Sequence, residues 1–381
     1  MFWKKKRVYL DNAAGVSGNP SSPHEEGRRN REQLEGARVD IARLLEVQAD
    51  DVIFTSGATE ANALAILGSL RAGSAKNQTP RTKHALYLPS AHASVVENMK
   101  MLKEEGVDVE ELPIRDARVD TNTLAKMLRN ETVLVSMDAV CGETGVIWNT
   151  REVAEVLKKF RILHSFFSAP VLHIDASQAP LTEKITRAHF GADMLTLDAS
   201  KVSTVRGIGA LIAHRTIPLM PLYRGGGQER GMRSGSEAPE FAHKFAAALR
   251  AAALGSEAFR ARAARARANL IEAITSSIPN ILVNEGHSQA PHILNISLPG
   301  RDTDYLAALM DEAGFAVSTR SACETDSENG SRAVLSLTGD SERSRTTLRI
   351  SWGPETGKRE LVRFAIELKE AVGFVDNASE R

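Results

Sequence analysis

Two cysteines, Cys141 and Cys323, are all that this chain of 381 residues carries. So few exclude a disulfide framework and a cysteine-rich metal centre, and each thiol has to be judged singly. Net charge is lacking too, because 48 lysines and arginines balance 48 aspartates and glutamates. Nothing global then favours a nucleic acid or an anionic membrane as partner. No apolar run approaches the ~20 residues of a membrane span. The basic start, Met1 to Arg7, is not followed by an apolar signal region, so the expected location is cytoplasmic. Repeats and low-complexity segments are absent as well. What the chain does have is 42% hydrophobic residues, ample for a large core, and a length that suggests two or three domains.

Along the chain one unit recurs: a short apolar run, a polar turn, then residues at helical spacing. Residues 7–14 read as a short strand entering a small-residue turn, and a loop over 18–24 leads to a helix with Leu34, Ala37, Ile41 and Leu45 on one face. Asp51 to Thr55 reads as a strand, Ser56 to Glu60 as a tight turn, and a helix starts at Ala61. Small residues with free amides at a helix N-terminus suit an anion, although Ser or Thr followed by Glu also suits a plain helix cap. Ala85 to Leu88 is the next strand, with His92 just beyond it, where a solvated cap and a catalyst are both open readings. Thr132 to Met137 and Val171 to Asp175 follow. Asp175 at its strand end suits either a protonated ring nitrogen or a helix cap. Cys141 lies in an apolar context and reads as a small packed residue.

Residues 194–201 form a fifth apolar run ending in Asp198-Ala199-Ser200-Lys201, and Gly207-Ile208-Gly209 begins the return. A lysine fixed beyond a strand suits a buried amine that forms a Schiff base with an aldehyde cofactor; the plainer reading is a surface lysine in a hairpin. Several such units in series imply an α/β fold with a mostly parallel sheet between helices. Ligands of such sheets bind beyond the carboxyl ends of the strands, where Thr59, His92, Asp175, Gln178 and Lys201 all fall. Residues 225–236, rich in glycine, arginine and hydroxyls, suit an anion-binding or subunit-contact loop. From 239 to about 278 the chain is helical and alanine-rich, with the arginines of 260–267 on a solvated face. Strands at 292–298, 315–318 and 348–352 with helices between and after them suggest a smaller α+β domain.

In order, Asp11-Asn12-Ala13-Ala14, Thr55-Ser56-Gly57-Ala58-Thr59-Glu60, His92, Asp175-Ala176-Ser177-Gln178, Lys201 with Gly207-Ile208-Gly209, residues 230–235, Ser321-Ala322-Cys323 and Leu348-Arg349-Ile350-Ser351 resemble the cysteine desulfurases. These are class V enzymes of fold type I that use pyridoxal 5'-phosphate (PLP). The long stretch after Cys323 resembles the group that supplies iron–sulfur clusters and tRNA thiolation. The resemblance implies a seven-stranded, mostly parallel sheet in a large PLP-binding domain over 15–250. Residues 1–14 and 251–381 would form the small domain. It implies a cytoplasmic homodimer acting on L-cysteine, with a sulfur-acceptor protein as partner and no metal. It also implies roles. Lys201 holds PLP and moves the substrate's α-proton, and His92 stacks on the ring. Asp175 keeps the ring nitrogen protonated, and Gln178 bonds the phenolic oxygen. Ala58, Thr59 and Ser200 cradle the phosphate, with Ser236 reaching in from a second subunit. Asn12 and Arg349 bind substrate, and Cys323 takes the sulfur as a persulfide. A free lysine has a pKa of about 10.4 and a cysteine about 8.5, so both groups need help from their surroundings near neutrality. Arg320 and His92 favour the Cys323 thiolate, and Glu324 and Asp326 oppose it.

Departures cluster on the cofactor. The family's Ser-x-His before the lysine reads Asp198-Ala199-Ser200, its asparagine before Glu143 is Gly142, and Arg320 replaces a glycine. The stretch after Ala14 is also short. An aspartate beside a phosphate dianion is repulsive unless it points away or is neutralised. A selenocysteine lyase, an aminotransferase and a cofactor-free scaffold are the alternative readings.

Overall fold

The computed structural model describes residues 7–72, 83–163, 170–319 and 330–379. The first part runs α1 (Glu25–Leu45), β1 (Val52–Thr55), α2 (Ala58–Arg71), β2 (His84–Tyr87), α3 (Ala93–Glu104) and β3 (Asp108–Glu111). A small hairpin, β4 (Ile114–Arg115) and β5 (Arg118–Val119), leads to α4 (Thr121–Met127), β6 (Thr132–Asp138), α5 (Thr150–Leu163), β7 (Val171–Asp175) and α6 (Arg187–Phe190). Then come β8 (Met194–Asp198), β9 (Gly209–Ala213) and α7 (Pro239–Ser277). The last part holds β10 (Leu282–Val283), β11 (Ile293–Ser297), α8 (Thr303–Glu312), α9 (Arg332–Thr338), α10 (Ser341–Arg345), β12 (Thr347–Ser351) and α11 (Lys358–Ser379).

Seven strands make one sheet in the order β1-β9-β8-β7-β6-β2-β3. Only β9 runs against its neighbours, so the other six point the same way. Strands β1, β7, β8 and β9 are nearly continuous apolar runs because helices cover both faces. A polar residue survives in the middle only by cross-strand pairing. His173 on β7 meets Ser136 of β6 at 2.8 Å and Thr196 of β8 at 3.0 Å. Its burial holds the imidazole well below its ordinary pKa.

A second sheet, β10-β11-β12, is antiparallel and has its own apolar cluster, including Leu294, Leu348, Met310 and Phe364. The 39-residue α7, about 58 Å long at 1.5 Å per residue, serves both cores. Its Phe245 and Leu249 pack under the large sheet, while Phe259, Leu270 and Ile274 pack under the small one. Alanine at much of the remaining length keeps helix propensity high. Of the arginines expected on a solvated face, Arg260, Arg262 and Arg265 are exposed, whereas Arg267 is largely covered and donates to Glu285 at 2.8 Å.

The structure departs from the expected elements in several places. Residues 7–11 form no strand. They are held instead by polar contacts, with Arg7 on Glu26 and Asp11 on Ser22 and His24. Residues 315–318 contribute only an isolated bridge, Ser318 to Arg349. Strand β3 lacks an apolar signal because it is an acidic edge strand with only Val109 buried. Helix α2 starts at Ala58 rather than Ala61, so Ala58, Thr59 and Glu60 are its first turn.

Candidate active site

Because six strands run in parallel, Thr55, Tyr87, Asp138, Asp175 and Asp198 all end at one edge of the sheet. Three small clusters of side chains form there.

The first is centred on Asp175, which is buried. Its Oδ1 accepts from the Ser177 amide at 2.9 Å, and its Oδ2 accepts from Asn62 Nδ2 at 2.7 Å. Asn62, fully buried on α2, uses the same nitrogen to reach Ser94 Oγ at 2.9 Å. The amide has to face this way, since its oxygen would repel a carboxylate. Ser94 Oγ lies 2.8 Å from His92 Nδ1, which also accepts the Ser94 amide and so caps α3. With Nδ1 accepting, a neutral His92 carries its proton on Nε2. Asp175 and His92 are thus joined through Asn62 and Ser94, two residues that the sequence reading did not single out. The only signal for Asn62 was a polar residue between Ala61 and Ala63 on a helix whose neighbours are apolar. Asp138 is a third residue missed. It pairs in register with Asp175, and burial, then the Asp175 charge, pushes its carboxyl well above the ordinary range.

The second cluster is at the head of α2. Asp198 closes β8, and its Oδ2 accepts from the Ala58 amide at 2.8 Å. Its Oδ1 accepts from the Ser200 amide at 2.7 Å and the Ser200 hydroxyl at 2.6 Å. Lys201 follows in the same short 3-10 turn and is exposed. Thr59 is exposed in the first turn of α2. The return strand comes close here: a Cβ on Gly209 would stand 2.8 Å from Gly57 backbone and from the Leu197 carbonyl, so only glycine fits.

The third cluster is built around Gly142. Arg349 of β12 donates to the Gly142 carbonyl at 3.0 Å and to Ser318 Oγ at 3.2 Å. A Cβ at position 142 would come within 2.8 Å of Gln178 Nε2, so the glycine gives Gln178 its place. The small sheet thereby sets a guanidinium beside the strand edge of the large one.

Other expected site residues lie apart from these clusters. Asn12 is exposed in the 3-10 turn Asn12–Ala14. Ser236 borders a small cavity with Thr55, Gly207, Ile208 and Arg233, not the Ala58–Asp198 contact. Cys323 and Arg320 lie outside the described residues. Cys141 is a packed core residue, as its context suggested, and burial pushes its thiol up to about 11.

The aminotransferase class-V family model matches residues 7–364. The chain belongs to the class V aminotransferase family.

Among its relatives, cysteine desulfurase IscS 1 of Archaeoglobus fulgidus is 31% identical over 339 residues, 88% of this chain and 85% of that protein. Cysteine desulfurase IscS of Pseudoalteromonas translucida is 31% identical over 94% of this chain and 86% of its own length. Among solved structures, a NifS-like protein superposes with a TM-score of 0.84 at 25% identity, covering 94% of this chain and 92% of that one. The cofactor of this class V family is pyridoxal 5'-phosphate. Its ring end fits the strand edge, where buried Asp175 keeps its carboxylate fixed by two donors and Lys201 stands at the end of β8. The first amide of α2, which the sequence reading expected to receive the phosphate, is already bonded by Asp198.

Proposed function

We propose that the protein is a PLP-dependent cysteine desulfurase. It converts L-cysteine to L-alanine and passes the sulfur to an acceptor protein for iron–sulfur cluster assembly or tRNA thiolation. Family membership over nearly the whole chain supports this reading, together with the Asp175–Asn62–Ser94–His92 chain at the strand edge. The proposed setting is a cytoplasmic homodimer with a large domain over 15–250 and a small one from 1–14 and 251–381. Among the described residues no helix is long and apolar enough to cross a membrane.

When bound, PLP supplies the electron sink needed to stabilise a carbanion next to the substrate's amino group. The side chains do the rest. Asp175, its carboxylate held by the Ser177 amide and Asn62, would keep a proton on the ring nitrogen. Lys201 would carry the cofactor and would move the substrate's α-proton. Gln178 would bond the phenolic oxygen, and the Ala58 and Thr59 turn with Ser200 would receive the phosphate. Ser236 would reach it from the second subunit. Arg349, held by Gly142 and Ser318, would take the substrate carboxylate, and Asn12 would also bind substrate. The thiolate of Cys323 attacks the substrate sulfur. A carbon–sulfur bond breaks, a sulfur–sulfur bond forms on Cys323, and the electron pair left on carbon takes a proton to give alanine.

The test is alanine and persulfide formation from L-cysteine. Lys201→Ala and Cys323→Ser should each lower turnover by at least about a thousandfold, in line with loss of a covalent catalytic group. A Cys323→Ser protein that still yields sulfide and alanine at the wild-type rate overturns the role of that thiol. The bond from Ala58 to Asp198 favours one second reading, a scaffold without cofactor. A yellow absorbance that borohydride abolishes disposes of it.

A further inference from the structure

Helix α2 is 14 residues long and has no side-chain cap from its own N-cap residue, Gly57. Its first amide is bonded instead by Asp198, 140 positions further along the chain. The carboxylate takes three donors in all: the Ala58 amide, the Ser200 amide and the Ser200 hydroxyl. An anion with this many N–H and O–H donors at the positive end of a helix is in the arrangement that phosphates adopt. A second carboxylate repeats the pattern one step earlier. Glu60 Oε2 accepts from the Ser56 amide at 2.5 Å. Its Oε1 accepts from Tyr223 at 2.8 Å and from Arg233 at 3.2 Å. Arg233 is thus already paired with a carboxylate.

We infer that Asp198 is a built-in anion that occupies the phosphate cup of the cofactor-free protein, so that the cofactor's phosphate adds little to its binding. This rests on the proposed function, because the Ala58 amide and Ser200 are the groups assigned there to the phosphate. Two anions do not share these donors. For the phosphate to enter, the Asp198 side chain rotates away and gives up its bonds, and it then remains a like charge nearby. The site therefore separates PLP from pyridoxal, which has the same ring and no phosphate, less than a cup with a neutral residue at 198 does. In the cofactor-free chain the same carboxylate caps α2.

The experiment uses the full chain stripped of cofactor, as wild type, Asp198→Ser and Asp198→Asn. PLP and pyridoxal are titrated by absorbance, and inorganic phosphate is titrated by its effect on the melting temperature. The expected result is that both variants widen the ratio of pyridoxal Kd to PLP Kd about tenfold or more, equivalent to ~1.4 kcal/mol. Both also melt below wild type without ligand and gain more from phosphate. Asp198→Asn preserves shape, so it carries the comparison if Asp198→Ser folds poorly. An unchanged or smaller ratio, or equal phosphate stabilisation of all three proteins, overturns the inference. If neither aldehyde binds to any of the proteins while phosphate stabilises only the variants, the proposed function fails and the role of Asp198 stands.

Discussion

Replacing Arg38 by methionine strands a carboxylate in the core. Arg38 on α1 grips Glu229 with two bonds of 2.8 Å, and the Glu229 side chain is only 1% exposed. Glu229 also accepts the Phe54 amide at 2.9 Å, and Arg38 donates to the Val52 carbonyl at 2.7 Å. The pair therefore ties α1, β1 and the 225–236 loop into one unit. It also holds Glu229 and Arg230 in left-handed backbone, φ 47° and 57°, at about 1 kcal/mol or more each. Removing one partner of a buried pair costs about 3–5 kcal/mol. The expected deficit for Arg38→Met is therefore about 3–5 kcal/mol. Arg38→Met/Glu229→Leu should cost less than the two single changes added together, because it leaves no charge behind. Urea unfolding of the full chain measures both. The account is refuted by a deficit under about 1 kcal/mol or by strict additivity.

Asn62→Leu removes the donor shared by Asp175 and Ser94, leaving a buried carboxylate with one bond fewer; the expected loss is about 1–3 kcal/mol in stability. With the carboxylate less firmly held, kcat/KM for L-cysteine should fall by about tenfold or more; an unchanged kcat/KM in a folded variant rules out the positioning role. His292 is buried against Phe259, and burial lowers its pKa from 6.5 to about 4. The unfolded chain binds a proton there below about 6.5 while the native state does not until about 4, so stability falls as pH drops through that window. The loss from this one residue reaches about 3 kcal/mol, and His292→Phe should flatten the unfolding free energy between those values. Parallel pH curves for the two proteins would contradict it.

The sequence alone determined the repeating strand–turn–helix order, the shared strand edge and several of the residues that reach it. These depend on apolar runs, helical spacing and polar strand ends, all of which are local. It also marked Asp198 and Gly142 as departures from the family pattern. The acidic edge strand β3 was invisible because an edge needs no apolar face. The non-strand at 7–11 was misread because a short apolar run only becomes a strand when a neighbour pairs with it. Packing alone decided which buried polar groups meet. Asn62 reached Asp175 across 113 positions, and Arg38 reached Glu229 across 191. No periodicity connects such pairs; desolvation does, since a buried charge is stable only where the fold brings it a donor. The same is true of Asp198. Its charge was legible in the chain, but the helix end that it faces became known only when β8 and α2 were set side by side.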